Sequence, residues 1–209
     1  MIKIKLERFL NHIQNQALVG EEAHKEMSPI DRSTILVKDL NLNKVRKASV
    51  LIVLYEEKGS ICFPLIERHI YEGNHSGEIG LPGGKIEKFD KDASEAALRE
   101  TEEELGIRQG DVKIIRELTS IYIPPSNFLV TPYIGFLSEK PYYFPDPVEV
   151  KNIIKLTVNQ LIDNKNNVRV DINKRHIQIK VPAFQFKDYV VWGATACILN
   201  ELRYLLKNH

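Results

Sequence analysis

Apolar positions along the chain recur first with helical spacing, then as short strand-like runs, then with helical spacing again. Leu6, Phe9, Leu10, Ile13 and Ala17 stand three and four residues apart, which predicts a helix over residues 3–18. A polar, irregular passage follows through Met27-Ser28-Pro29-Ile30-Asp31-Arg32. Residues 48–55 form a short apolar run rich in β-branched side chains, which predicts a buried strand. Glu57-Lys58-Gly59-Ser60 carries a turn signal, residues 61–67 read as the returning strand, and a Gly-rich loop occupies 73–84.

Asp92 and Glu95 form a D-x-x-E pattern before an Ala-rich run. This capping-box signature predicts a helix over 93–105, with Gly106 as the left-handed residue that ends it. Ala97, Leu98, Thr101 and Leu105 are placed to face the core. Strands are predicted over 113–123 and 130–137, around a Pro124-Pro125-Ser126-Asn127 loop. A short helix over 158–162, a hairpin of 168–172 and 176–181, and a closing amphipathic helix over 194–207 complete the pattern.

The helix over 93–105 concentrates chemistry. Glu100, Glu103 and Glu104 stand at i, i+3 and i+4 and share a face with no Lys among them. Like charges there repel, and a divalent cation such as Mg²⁺ prefers carboxylate oxygens completed by water and substrate phosphates. Taken alone, E-x-x-E-E on a helix is as well explained by a solvated acidic surface. Arg99 precedes Glu103 by four residues and is placed to pair with it. The upstream Gly83-Gly84 turn lets backbone approach phosphate oxygens or lend a carbonyl to a metal.

These residues resemble the Nudix box, G-x5-E-x7-R-E-U-x-E-E-x-G-U with U a bulky aliphatic. Arg99, Glu100, Glu103, Glu104, Gly106 and Ile107 match the second half, with Thr101 at the first U. Counting from Gly84, the acid position holds Asp90, and eight residues rather than seven then precede Arg99, which weakens any role for Asp90. Upstream, Arg68, Gly77, Pro82, Gly83 and Gly84 match the extra signature of coenzyme A pyrophosphatases, L-L-T-x-R-S-x3-R-x3-G-x3-F-P-G-G. His69, Gly73 and Leu81 depart from it. Stretches 123–132 and 189–196 look similar to that family as well.

The resemblance implies an α/β (α+β) Nudix fold, a mixed sheet sandwiched between helices. It implies one domain over 1–209, with a helical extension at 1–45, a core at 48–158, and a hairpin and C-terminal helix at 159–209. It implies Mg²⁺ or Mn²⁺ held by Glu100, Glu103, Glu104 and Gly84, with Arg99 orienting the glutamates and all four charged residues catalytic. The implied reaction splits coenzyme A or a derivative into 4′-phosphopantetheine and adenosine 3′,5′-bisphosphate. Two alternatives stay open: another nucleoside diphosphate linked to a moiety X, such as ADP-ribose, or a nucleotide-sensing module without catalysis.

Several further residues admit two roles each. Arg68 either binds a substrate phosphate or ends a strand on the surface. His75 and Ser76 line the pocket, or Ser76 stabilises a turn. Asn127 reads substrate or fixes the Pro-Pro turn. Glu149 is a remote acid or an exposed loop residue. Trp192, in apolar surroundings read as helical, belongs to the core rather than to a stacking platform.

Composition sets the remaining bounds. A net charge of +1, with 43% hydrophobic and 27% charged residues, fits an ordinary globular chain and gives no reason to expect nucleic acid or membrane as partner. Cys62 and Cys197 lie in apolar contexts and read as buried free thiols. Met1-Ile2-Lys3-Ile4-Lys5 lacks a signal-peptide core, and no apolar run reaches the ~18–20 residues of a membrane span, so a cytoplasmic enzyme is expected. The N-terminal extension and C-terminal helix are candidate homodimer surfaces.

Overall fold

The computed structural model describes residues 2–29, 37, 40–42, 44–70, 77–174 and 177–207, with side chains described from Glu7 onward and omitted at 173, 174 and 177. Two short N-terminal helices, α1 (Ile2–Asn15) and α2 (Glu21–Glu26), precede the sheet. Strands β1 (Arg46–Glu57) and β2 (Ser60–Arg68) form the expected hairpin, with Tyr55 opposite Cys62. Lys58 and Gly59 turn it with φ of 51° and 79°, the left-handed pair that suits the twist of a two-residue hairpin.

Strands β3 (Ile79–Gly80) and β4 (Gly83–Lys85) follow, then α3 (Ala93–Leu105), β5 (Val112–Glu117), β6 (Ile121–Ile123) and β7 (Phe128–Leu137). The strand expected over 113–123 is thus two strands, broken at Leu118, whose N–H bonds the Pro132 carbonyl. Next come β8 (Val150–Thr157), α4 (Val158–Ile162), β9 (Asn167–Lys174), β10 (Ile177–Phe186), β11 (Tyr189–Trp192) and α5 (Gly193–Lys207).

The main sheet runs β3-β2-β1-β7-β5, with β8 on β2 and β6 on β7. Strands β1 and β7 pair in parallel from Arg46 opposite Phe128 to Tyr55 opposite Leu137, and the other pairs are antiparallel, so the sheet is mixed. A second antiparallel sheet, β11-β10-β9, contains the expected hairpin.

The β-branched run of β1 is buried on both faces. Leu51, Val53 and Tyr55 join a core with Ala97, Leu105 and Ile107 beneath α3. Ala48, Ile52 and Leu54 join a larger core with Ile13, Phe184 and the Leu199–Leu206 face of α5. A strand covered on both sides reads as a continuous apolar run, which is why its sequence shows no alternation. The fold is therefore a mixed sheet between helices. Cys62 and Cys197 are buried thiols outside any disulfide.

The N-terminal helices pack on α5 of the same chain. His12 Nε2 lies 2.9 Å from the Leu205 carbonyl, and Asn200 Nδ2 donates to the Ala23 carbonyl at 2.8 Å. Buried Glu201 accepts from the Thr119 hydroxyl at 2.7 Å and sits 3.1 Å from His24 Nε2. Among the described residues no helix is long and apolar enough to cross a membrane.

Candidate functional site

The glycine turn is set directly on the start of β1. Strand β4 pairs with β1, Gly84 opposite Ser49 and Gly83 opposite Val50, while the Leu51 N–H bonds the Pro82 carbonyl at 2.9 Å. Gly83 has φ of 144°, and a Cβ there would fall 2.3 Å from the Ser49 carbonyl oxygen. Only glycine allows that approach. Gly84 faces the helix: its Cβ would fall 2.4 Å from the Glu100 carboxylate carbon.

Helix α3 has the bounds its caps predict. Asp92 Oδ1 accepts from the Ser94 and Glu95 N–H groups, and Gly106 is left-handed at φ 71°. The capping box is only half formed, because Glu95 turns back to the Lys91 N–H instead of that of Asp92. Ala96, Ala97, Thr101, Glu104 and Leu105 are buried, whereas Leu98 is half-buried.

Arg99 is the hub of the site. Its Nη1 donates to Glu100 Oε1 at 2.8 Å and to Glu103 Oε2 at 2.9 Å. Its Nη2 reaches the Lys85 carbonyl at 3.1 Å. Nε and Nη2 make a two-point contact with Asp90, at 2.9 and 3.1 Å. The Asp90 side chain is 1% exposed and held below the usual carboxylate range, first by Arg99. The longer loop therefore does not part the two residues: the acid still meets the arginine.

The three glutamates diverge. Glu103 has a side chain 58% exposed. Glu100 is half-buried, and desolvation raises its pKa against the pull of Arg99. Glu104 is 1% exposed. It accepts from Arg68 Nη2 at 2.8 Å and from the Gly83 N–H at 2.8 Å. Burial outweighs those partners and pushes its pKa up to about 7. The charge of Glu149 raises both Glu100 and Glu104, so that loop acid lies within electrostatic reach of the helix. Its loop is tied to the end of α3 by Phe144 N–H to the Leu105 carbonyl at 2.9 Å and Asp146 N–H to the Glu104 carbonyl at 3.1 Å. Among the described residues no three His, Cys, Asp or Glu side chains converge on one point.

A pocket of about 300 Å³ opens beside the turn, and its lining includes Arg68, Gly83, Gly84, Ile123, Phe128 and Trp192. Arg68 thus reaches the cleft, but its guanidinium is also spent on Glu104 and on the Gly83 carbonyl at 3.2 Å. Asn127 is not among the lining residues. It is left-handed at φ 54°, donates to the Lys44 carbonyl at 2.9 Å and accepts from the Tyr122 hydroxyl at 3.0 Å. Its side chain is therefore committed to the loop, the turn-fixing alternative. Trp192 is the reverse case: it ends a strand, not a helix, and is half-buried at the cleft. His75 and Ser76 lie outside the described residues, as does Gly73.

A family model described as the NUDIX domain matches residues 45–168. Nudix hydrolase 15, mitochondrial, of Arabidopsis thaliana is 33% identical over 171 residues, covering 78% of this chain and 60% of the relative. Nudix hydrolase 22, chloroplastic, of the same plant is 33% identical, covering 74% of this chain and 53% of its own length. The Nudix hydrolase NudL of Escherichia coli K12 is 31% identical, with 75% of this chain and 81% of the relative covered. The chain thus spans little more than half the length of the two plant relatives. Among solved structures, a C. elegans Ap4A hydrolase binary complex superposes with a TM-score of 0.53 at 18% identity, over 79% of this chain and 100% of that one. A MutT/nudix family protein from Enterococcus faecalis gives 0.54 at 18% identity, over 95% and 73%. Likeness at that identity shows the fold.

Proposed function

The chain belongs to the Nudix family, and we propose that it is a Mg²⁺- or Mn²⁺-dependent pyrophosphatase hydrolysing coenzyme A or its derivatives to 4′-phosphopantetheine and adenosine 3′,5′-bisphosphate. The observation that carries this reading is the grip on Glu104. Arg68 and Gly83, both from the coenzyme A-type signature, bond the two oxygens of the last helix carboxylate. The signature and the acidic helix are thus one physical unit. Of the departures, Leu81 is buried in the core, so replacing an aromatic ring there alters packing first.

The donor chemistry suits a divalent cation, although in this structure the three carboxylates are turned to Arg99, Arg68 and the Gly83 N–H and would have to swing to one point to hold it. Glu100, Glu103 and Glu104 offer hard oxygens, and the desolvated Glu100 gains from a nearby positive charge. With the Gly84 carbonyl they would hold an ion that neutralises diphosphate charge and lowers the pKa of bound water. The protein's own part is placement. Arg99 fixes Glu100 and Glu103 against each other, Asp90 and the Lys85 carbonyl fix Arg99, and Arg68 presents positive charge at the cleft. In the reaction the oxygen of a water bonds to one phosphorus. The bridging oxygen leaves with the other phosphate, and a nearby carboxylate accepts the water proton.

Mass spectrometry of products tests this. Incubation with coenzyme A and Mg²⁺ or Mn²⁺ should yield both products, EDTA should abolish them, and Glu103→Gln and Glu104→Gln should each lower turnover by orders of magnitude. Full activity in both variants would refute the assignment of the carboxylates. Higher kcat/KM for ADP-ribose than for coenzyme A would move the substrate to another nucleoside diphosphate. Binding by calorimetry without turnover would mark a sensing module.

A further inference from the structure

The cleft lining is mostly apolar, and its indole has no role in diphosphate chemistry. Strand β11 alternates so that Val191 is fully buried while Trp192 lies at the cleft. The next residue, Gly193, turns with φ of 66°, and a Cβ built there would meet nothing within 4 Å. Open space therefore lies at Gly193, next in the chain to the indole. Ile123 and Ile198 add apolar wall. Phe128 is the other aromatic lining the cleft, and the Arg46 guanidinium already stacks over its ring at 4.0 Å.

We propose that Trp192 is a specificity-determining residue, the platform on which the planar heteroaromatic base of the substrate stacks. The inference rests on the diphosphate-hydrolase reading for the choice of substrates. Three features favour a base over a flexible amide-bearing arm. The indole and its aliphatic neighbours offer π-face and dispersion contact, which a base uses through either face whatever its identity. An amide-bearing arm would need buried polar partners, and beside the charged Arg68, Glu78 and Lys85 the lining offers only the hydroxyls of Ser126 and Thr195 among mostly apolar or small residues. The volume of about 300 Å³ is at the low end of ligand pockets, suited to one nucleoside-sized half of a substrate rather than the whole.

The chain has a single tryptophan, so its emission reports on this position alone. Titration of the unmodified protein with α,β-methylene-ADP in Mg²⁺ should quench the emission saturably, whereas methylenediphosphonate, which lacks the base, should not. Trp192→Ala should raise KM for adenine-containing substrates by about 10- to 100-fold with a much smaller change in kcat, and Trp192→Phe should restore most of the loss. Equal emission responses to the two probes, or a KM for Trp192→Ala within about twofold of the parent, would overturn the proposal. The emission titration needs neither a folded variant nor turnover. A protein that hydrolyses no diphosphate yet shows base-dependent quenching would refute the proposed reaction and keep the platform.

Discussion

Replacing Gly84 by alanine tests whether the glycine turn and the carboxylate helix form one geometric unit. Nothing in the Gly84 backbone requires glycine, since it is absent from the positive-φ residues. The obstacle is the neighbour. The new Cβ would lie 2.4 Å from the carboxylate carbon and from Oε2 of Glu100, where ordinary contact begins at 3.4 Å. The carboxylate must therefore retreat by about 1 Å, and a displacement of that size at a reacting centre costs about 100-fold in rate. In free energy that is about 2.7 kcal/mol of barrier. The 2.8 Å contact between Arg99 and Glu100 would stretch or break with it. Because the obstacle is the end of a flexible side chain, the fold itself should lose little, about 1 kcal/mol or a melting shift of about 2–4 °C. The assay is kcat at saturating substrate and metal, beside a thermal melt. Gly83→Ala is the control, since its Cβ would meet backbone at 2.3 Å from a left-handed position, and it should fail as a fold. A kcat for Gly84→Ala within about threefold of the parent would refute the idea that this glycine seats Glu100.

Other expectations follow from the same contacts. Glu104 ordinarily titrates at 4.5 and here near 7, so the folded state holds its proton longer than the unfolded one. Stability from this group is full below about 4.5 and lost as pH rises towards 7, by at most about 3 kcal/mol. Melts in EDTA between pH 5 and 8 should show Glu104→Gln gaining on the parent as pH rises, and parallel curves would contradict the burial argument. Asp90→Asn should lower kcat about 10- to 100-fold by loosening Arg99, with little change in melting temperature beyond a few degrees; unchanged kcat would leave Asp90 a loop residue only. Asn127→Gly keeps the left-handed backbone but loses both side-chain bonds, so the melt should drop a few degrees while KM stays within about twofold. A large KM effect there would return Asn127 to the substrate.

What could be read from the sequence was local. The α3 bounds follow from Asp92 and Gly106, two residues whose side chain and backbone act within one turn of the helix. The β1–β2 hairpin follows from Lys58 and Gly59 in the same way. Strand β8 escaped because Lys151 and Asn152 interrupt its alternation where the β2 register shifts at Glu67 and Arg68. Strand β11 escaped because its apolar residues run without a break into α5, and only the left-handed Gly193 divides them. The same merging hid Trp192 in a supposed helix. Asp90 falls out of register when spacing is counted along the chain, whereas its contact with Arg99 is made in space. The Arg68–Glu104 contact joins residues 36 apart, which no local pattern predicts.

The clamp between Asp90 and Arg99 has an evolutionary consequence. Both ends of the connection between β4 and α3 are anchored by one guanidinium, through the Lys85 carbonyl before the turn and Asp90 within it. Insertions between Asp90 and the helix can then accumulate without moving the carboxylates, so loop length drifts almost neutrally. A pattern search that demands a fixed count across this segment would pass over a chain that, like this one, closes the contact over a longer loop. What the loop has to preserve is a closed circuit of charge, so homologues are better sought by the ability to close it than by the number of residues it takes.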